Sequence, residues 1–248
     1  MADYAADYDT YSNYVKEICD SGNISNFKNH PSYTYMLEHV TKDQADEYIH
    51  YIIKKTAITF HNIQEFCIIN DYIGNPNKFD FGFIRCSSTN LRYILHAHII
   101  LTYLQKLNLP SVDILELGGG YGGLCLALHH FSAKYKIKIN SYGIIDLPNI
   151  TRLQKMYLTS INPALKVDFF DGSTFGEGVK RQNNFLISNY CFSEITDSLQ
   201  KKYIEVLFPK VSHGFMAWNE IPTYNFGFEY KEEEEYPKTG PKNKYVYF

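Results

Sequence analysis

Residues 112–123 read VDILELGGGYGG, a short apolar run with one acid at its end, then five glycines around a tyrosine. No other stretch constrains the fold as much. The apolar run reads as a buried strand. Glycines at this density belong where the main chain turns sharply or where something lies against it. A helical segment over roughly 122–135 follows, so the stretch opens a strand–turn–helix unit of the kind that builds parallel sheets.

Four more runs share that texture after Pro110: KINSYGIID, LKVDFF, NFLISN and GFMAWN. Helical segments over about 149–161 and 196–208, with a short one near 176–181, fall between them. Strands alternating with helices predict an α/β chain with a doubly wound, mostly parallel sheet. The tail FGFEYKEEEEYPKTGPKNKYVYF breaks the alternation and predicts an antiparallel C-terminal hairpin closing the sheet. Its glutamate run 232–235 reads as a solvated edge.

The first third is different. Thr41 and Gln44 form a T-x-x-Q capping box, and Ala45, Tyr48, Ile49, Ile52, Ile53, Ala57 and Phe60 follow at helical spacing. A second helix is expected from about Ser88 to Leu107, with Leu91, Ile94, Leu95, His98, Ile99 and Thr102 on one side. IGNPNKFDFGF between them reads as a loop. Residues 1–40 are polar, tyrosine-rich and weakly periodic, which predicts a loose start. The division expected is a helical N-terminal extension over 1–108, serving as a lid or the contact of a homo-oligomer, and a ligand-binding domain over 109–248.

Composition removes several alternatives. A net charge of −3 supplies no field to attract nucleic acid or an anionic membrane, so neither is expected as a partner. Five scattered cysteines without a CxxC argue against a zinc site or a disulfide framework and for a reducing compartment. No run reaches the ~18 apolar residues of a membrane span, and the opening residues lack the pattern of a signal peptide. A cytosolic protein is expected. The aromatic content of 16% goes with frequent Ile, Asn and Lys and reads as codon bias before it reads as a carbohydrate-stacking surface.

The glycine loop parses in two ways. Gly118, Gly120 and Gly123 satisfy the G-x-G-x-x-G of dinucleotide sites. Glu116, Gly118, Gly120 and Gly122 satisfy acid-x-G-x-G-x-G, the first motif of class I S-adenosylmethionine methyltransferases. Both bring backbone N–H groups and a helix start close to a ligand. The position favours the second, since more than 100 residues precede the loop. So does Glu116, whose carboxylate suits an ammonium group and repels a pyrophosphate. The alternative for Glu116 is a strand-end carboxylate that binds the N–H groups of its own loop. Asp146, ending the second strand run in YGIIDLPNI, suits ribose hydroxyls in either kind of protein. Pro148 sets the following turn and Asn149 is placed to cap the next helix. Asp171, in Asp171-Gly172-Ser173 after the third run, is placed to meet an adenine.

Together, ILELGGGYGG, YGIIDLPNITRLQKMYL and FLISNYCFSEI closely resemble a family of sugar O-methyltransferases within the class I methyltransferases. The flanking STNLRYILHAHII and EEYPKTGPKNKYVYF resemble that family as well, so the likeness covers about residues 86–248. It implies a seven-stranded, Rossmann-like sheet with a reversed C-terminal hairpin, S-adenosylmethionine as cofactor, and a sugar, sugar-nucleotide or glycan acceptor methylated on a hydroxyl in glycan biosynthesis. The cofactor set it implies is Glu116, Gly118, Gly120, Tyr121, Gly122, Asp146, Leu147 and Asp171, with Asn189 and Tyr190 beside the sulfonium. Arg92, on the helix before the glycine strand, is a candidate partner for the cofactor carboxylate.

A sugar hydroxyl is protonated at neutral pH, so transfer benefits from a base within hydrogen-bond reach. SNYCFSEI supplies Glu194 as the base or sugar-binding carboxylate, with Ser193 and Asn189 to orient the acceptor. The alternative for Glu194 is capping near Thr196. His96, His98 and His213 are weaker rivals, and Asn219 and Glu220 follow the fifth strand run at a place suited to substrate contact. Cys191 has no histidine nearby in sequence and reads as packing. No metal is expected, because no Asp-Asp pair follows the fourth or fifth run. A nicotinamide-dependent oxidoreductase and a non-catalytic binding protein of the same fold are the competing functions.

Overall fold

The structure, a computed structural model, describes residues 4–219 and 226–248. Among these, seven strands form one sheet: β1 Ser111–Leu117, β2 Lys138–Asp146, β3 Asp168–Asp171, β4 Asn184–Asn189, β5 Val211–Trp218, β6 Lys231–Glu234 and β7 Lys244–Tyr247. Their order is β3-β2-β1-β4-β5-β7-β6. The first five are parallel, and β7 runs antiparallel to both β5 and β6. This is the sheet that the resemblance implied, closing hairpin included.

Parallel strands align their carboxyl ends, so Asp171, Asp146, Leu117, Asn189 and Trp218 follow one another along one edge. Asp146 and Asp171 are direct register partners. β4 is buried along nearly its whole length, which is why NFLISN reads as a run rather than as an alternation. Polar Ser188 inside that run is the exception, and it has a use described below.

The chain gathers into two compact units. The sheet unit comprises Tyr103–Gly119, Ser132–Thr151 and Lys166–Phe248. It carries two short helices after β4, α8 Cys191–Glu194 and α9 Asp197–Val206. Its core gathers Leu186, Phe192, Phe208, Met216, Trp218, Phe226, Val246 and Phe248. Each such buried side chain contributes about 1.5–3 kcal/mol relative to exposure. The hairpin is therefore fastened by Val246 and Phe248 as well as by its ladder. No helix forms at 176–181; the 3-10 turn over Gly172–Thr174 is followed by a turn over 175–178 and irregular chain.

The other unit comprises Met1–Thr102, Gly120–Phe131 and Arg152–Leu165. Its helices are α1 Tyr4–Ser21, α2 Pro31–Met36, α3 Lys42–Lys55, α4 Phe60–Asn70 and the greater part of α5 Ser88–Lys106, α6 Gly123–Ser132 and α7 Pro148–Ile161. The expected loose start is corrected here. Tyr11, Val15, Ile18 and Cys19 are buried at helical spacing, as are Phe27 and Tyr33 beyond α1. The capping box forms with both of its bonds. The helix it starts ends at Lys55, and Phe60, read as its continuation, is exposed in the first position of α4. In α5 the face carrying His98, Ile99 and Thr102 is the less buried one, while Ile100, Leu101 and Leu104 lie inside. Helix α7 begins at Pro148, which suits a first helical position, so Asn149 sits within the first turn rather than at the cap. Among the described residues no helix is long and apolar enough to cross a membrane.

Candidate functional site at the carboxyl edge of the sheet

In the sheet unit, β1 runs into the glycine loop at Gly118, whose φ of 77° lies in the left-handed region that favours glycine. The strand ladder reaches one residue further, with Gly118 N–H donating to Ile145 C=O at 3.0 Å. The group that approaches Gly118 is a protein side chain. A Cβ on Gly118 would overlap both the Cβ and the Sγ of Cys191. Ser188 seats that cysteine: its hydroxyl donates to Leu117 C=O and accepts from Phe192 N–H, each at 3.0 Å. This joins the end of β1 to the first turn of α8. Burial, then the carboxylates of Asp146, Glu194 and Glu116, hold the Cys191 thiol well above the usual thiol range. That suits packing rather than nucleophilic attack.

Asp146, and not Glu116, binds the loop: its carboxylate accepts from Gly119 N–H at 3.1 Å and from Leu147 N–H at 2.9 Å. Glu116 is 2% exposed and accepts from the Tyr142 phenol at 2.8 Å. Burial pushes its carboxyl up to about 8, with nearby Asp146 adding to the rise and Tyr142 opposing it. Asp171 holds its own turn, accepting from Ser173 N–H at 2.8 Å and from Ser173 Oγ at 2.7 Å, and it remains exposed.

Beyond β4, Tyr190 takes a left-handed conformation with φ 65° and donates its N–H to Ala217 C=O at 2.7 Å. Ser193 is 1% exposed; its hydroxyl donates to Tyr190 C=O at 2.7 Å and accepts from Asn219 N–H at 3.3 Å. It is thus a backbone brace, which corrects its expected role in orienting an acceptor. Glu194 is exposed and accepts from Asn219 Nδ2 at 2.6 Å. Thr196, whose capping was the alternative use for Glu194, begins α9 without a side-chain cap bond. Glu220 lies outside the described residues. His213 falls near the amino end of β5, away from the carboxyl edge.

Other expected site residues belong to the helical unit. Tyr121 is fully buried there: its hydroxyl accepts from Asn70 Nδ2 at 2.8 Å, and its ring packs edge-on to Tyr93 and Tyr157. Its side chain is core, not ligand surface. Gly120 and Gly122 have positive φ, and a Cβ on Gly122 would come within 2.9 Å of Leu158. Arg92 is buried, its guanidinium donating to Leu37 C=O at 3.3 Å beside His39 Nε2 at 3.5 Å. Burial and Arg92 together take His96 down to about 3, so it stays neutral at physiological pH and is a poor base.

Glu235, assigned to a solvated edge, is the residue that the sequence reading missed. Glu232, Glu233 and Glu234 are exposed on β6, as expected, whereas Glu235 is 1% exposed and accepts from the Tyr190 hydroxyl. It closes a run of four identical residues, which gives no local signal that sets it apart.

No family model matches the chain, and no curated protein matches it. Several solved structures match in part. Magnesium protoporphyrin IX methyltransferase from Synechocystis PCC 6803, with S-adenosylmethionine bound, is 10% identical over 84% of this chain and 97% of that one, at a TM-score of 0.49. An amino pentose methyltransferase of calicheamicin biosynthesis from Micromonospora echinaspora, also with S-adenosylmethionine bound, is 11% identical over 58% of each chain, at 0.41. An rRNA methylase from Streptococcus thermophilus is 10% identical over 60% of this chain and 93% of that one, at 0.44. The chain spans about half the length of several of the structures it matches.

Proposed function

We propose that this chain is an S-adenosylmethionine-dependent methyltransferase that methylates a hydroxyl of a sugar acceptor. The observation that carries the reading is the carboxyl edge of the sheet. Ligands of open α/β sheets bind outside the carboxyl ends of the strands. Along that edge stand Asp171, Asp146, the turn at Gly118 and the Asn189–Tyr190 corner, on the neighbouring strands β3, β2, β1 and β4.

These residues fit the cofactor by their chemistry. Asp146 is fixed in orientation by one backbone N–H on each oxygen while retaining acceptor capacity for ribose hydroxyls. Asp171 offers an exposed carboxylate on the adjoining strand. Glu116 is a buried acid whose ionised form an arriving ammonium would stabilise. When bound, the cofactor supplies an activated methyl group. The chain's remaining tasks are to hold the acceptor oxygen about 3–3.5 Å from that methyl and to take its proton. Glu194, exposed and oriented by Asn219, is the group we assign to the proton.

Calorimetric titration with S-adenosylmethionine, S-adenosylhomocysteine and NAD in parallel tests this reading. Micromolar binding of both sulfur nucleosides, lost in Asp146→Ala and absent for NAD, is expected. Binding of NAD alone would replace the reading with a dinucleotide site. An acceptor screen with the methyl-labelled cofactor then tests the sugar, and transfer to non-sugar acceptors only would remove that part.

A further inference from the structure

The closing hairpin reaches the same edge of the sheet. β7 runs antiparallel to β5 with Lys244 opposite Trp218, so the turn between β6 and β7 sits at the carboxyl end of β5. Glu235 opens that turn. Its Oε1 accepts from the Tyr190 hydroxyl. Its Oε2 accepts from Thr239 N–H at 2.8 Å and from Thr239 Oγ1 at 2.6 Å. Asn243 completes the brace, with Nδ2 donating to Thr239 Oγ1 at 2.9 Å and its C=O accepting Glu235 N–H at 3.2 Å.

A carboxylate is seldom buried unless its acceptor positions are satisfied. Here three donors converge on one that is 1% exposed, which makes it a fixed acceptor. The group it fixes from outside the turn is Tyr190. That residue leaves β4 in a left-handed conformation, a strained choice for a bulky side chain that must be held by its surroundings. Its main chain is held by Ala217 and Ser193, and its ring is held at the hydroxyl by Glu235.

Resting on the methyltransferase reading, we propose that Glu235 is a positioning residue: it fixes the Tyr190 side chain at the cofactor end of β4 and so makes the 235–243 turn part of the site. The exposed glutamates 232–234 and the buried Glu235 then have separate uses. A glutamine at 235 would have to reverse the Tyr190 bond, its amide N–H donating to the phenol oxygen, and would exchange a charge-assisted bond for a weaker neutral one.

The test is a double-mutant cycle on S-adenosylhomocysteine affinity, measured calorimetrically with wild type, Glu235→Gln, Tyr190→Phe and the double variant. Each single change is expected to weaken binding roughly tenfold, and the pair no more than either alone, because both act through the one Glu235–Tyr190 hydrogen bond, which the amide weakens and the phenylalanine removes. A carboxylate that merely stabilises the turn would lower the melting temperature and leave the affinity at the wild-type value. That outcome, or weakening that multiplies in the double variant, overturns the proposal. Should Glu235→Gln not fold, Glu235→Asp keeps the charge, shortens the arm and enters the same cycle. Fluorine NMR of 3-fluorotyrosine at position 190 gives a second readout. One sharp resonance is expected in the wild type and a shifted or broadened one in the Glu235 variant; an unchanged resonance overturns the proposal. Wild-type protein that binds no S-adenosylhomocysteine removes the methyltransferase reading and this inference together, whereas intact binding in the Glu235 variants removes the inference alone.

Discussion

The phenol of Tyr142 on β2 donates a 2.8 Å hydrogen bond to Glu116 on β1, two residues before the first glycine of the loop. Burial raises this carboxyl from 4.5 to about 8. Between those values the folded chain keeps a proton that the unfolded chain has released. The stabilising contribution is therefore complete below about 4.5 and is lost as pH rises toward 8. Glu116→Gln keeps the shape without the titration. Its stability should exceed wild type at pH 8 by at least about 1 kcal/mol, or roughly 2–4 °C for a chain of this size, with the gap closing by pH 5. Thermal melts across this range check it, and parallel curves for the two proteins would refute it. On the methyltransferase reading, S-adenosylhomocysteine binding at pH 7 also releases a proton, seen as a dependence of the binding heat on the buffer.

The glycines of the loop differ in what surrounds them, and that difference is measurable. Gly118→Ala combines a left-handed φ with overlap onto Cys191. It should lose about 2–5 kcal/mol, from a conformational cost of ~1–2 and an overpacking cost of ~1–3. Gly120→Ala meets the Leu37 methyl groups at 3.6 Å and the Tyr93 hydroxyl at 4.0 Å, ordinary contacts. It should lose about 1–2 kcal/mol from its φ of 55° alone. Urea denaturation of the two variants ranks them, and equal losses would show that Cys191 does not crowd the loop.

How far the sequence reached follows from the kind of signal involved. The five parallel runs, the capping box of Thr41 and Gln44 and the closing hairpin were all legible, because each depends on local pattern or turn chemistry. Helix α1 was not, because tyrosine carries one of its buried positions and reads as neither clearly apolar nor polar; Tyr11, Val15 and Ile18 show their spacing only once buried. That Asp146 binds the loop was not read from the sequence, where that role fell only to Glu116 as an alternative, because the register between β1 and β2 decides what surrounds each acid. Glu235 was hidden by its neighbours. A run of four identical residues gives no local sign that the last one points inward, and its partner Tyr190 lies 45 positions away.

Tyr121 sits inside the glycine motif, yet its side chain should matter to stability and not to the cofactor. Tyr121→Phe removes the oxygen that accepts from Asn70 Nδ2 and keeps the ring in its aromatic packing. A loss of about 0.5–1.5 kcal/mol is expected. The affinity for S-adenosylhomocysteine should stay at the wild-type value. Denaturation and calorimetry on one preparation read both quantities, and a tenfold weaker affinity at unchanged stability would return Tyr121 to the ligand site.

On the methyltransferase reading, Glu194 is the group assigned to the acceptor's proton. Glu194 is exposed at the end of α8 and takes a 2.6 Å bond from Asn219, which sits just beyond β5. This joins the ends of β4 and β5 and fixes a carboxylate that would otherwise swing in solvent. Once the acceptor screen has provided a substrate, Glu194→Gln should lower kcat by about 10²–10⁴, the usual contribution of a positioned base. The affinity for S-adenosylmethionine should not change, and the acid limb of the pH–rate profile should disappear. Asn219→Ala should give a smaller loss and keep that limb, because the carboxylate survives but is less well oriented. A Glu194→Gln enzyme that keeps the wild-type pH profile would move the proton to another group and leave Glu194 as a contact for the sugar.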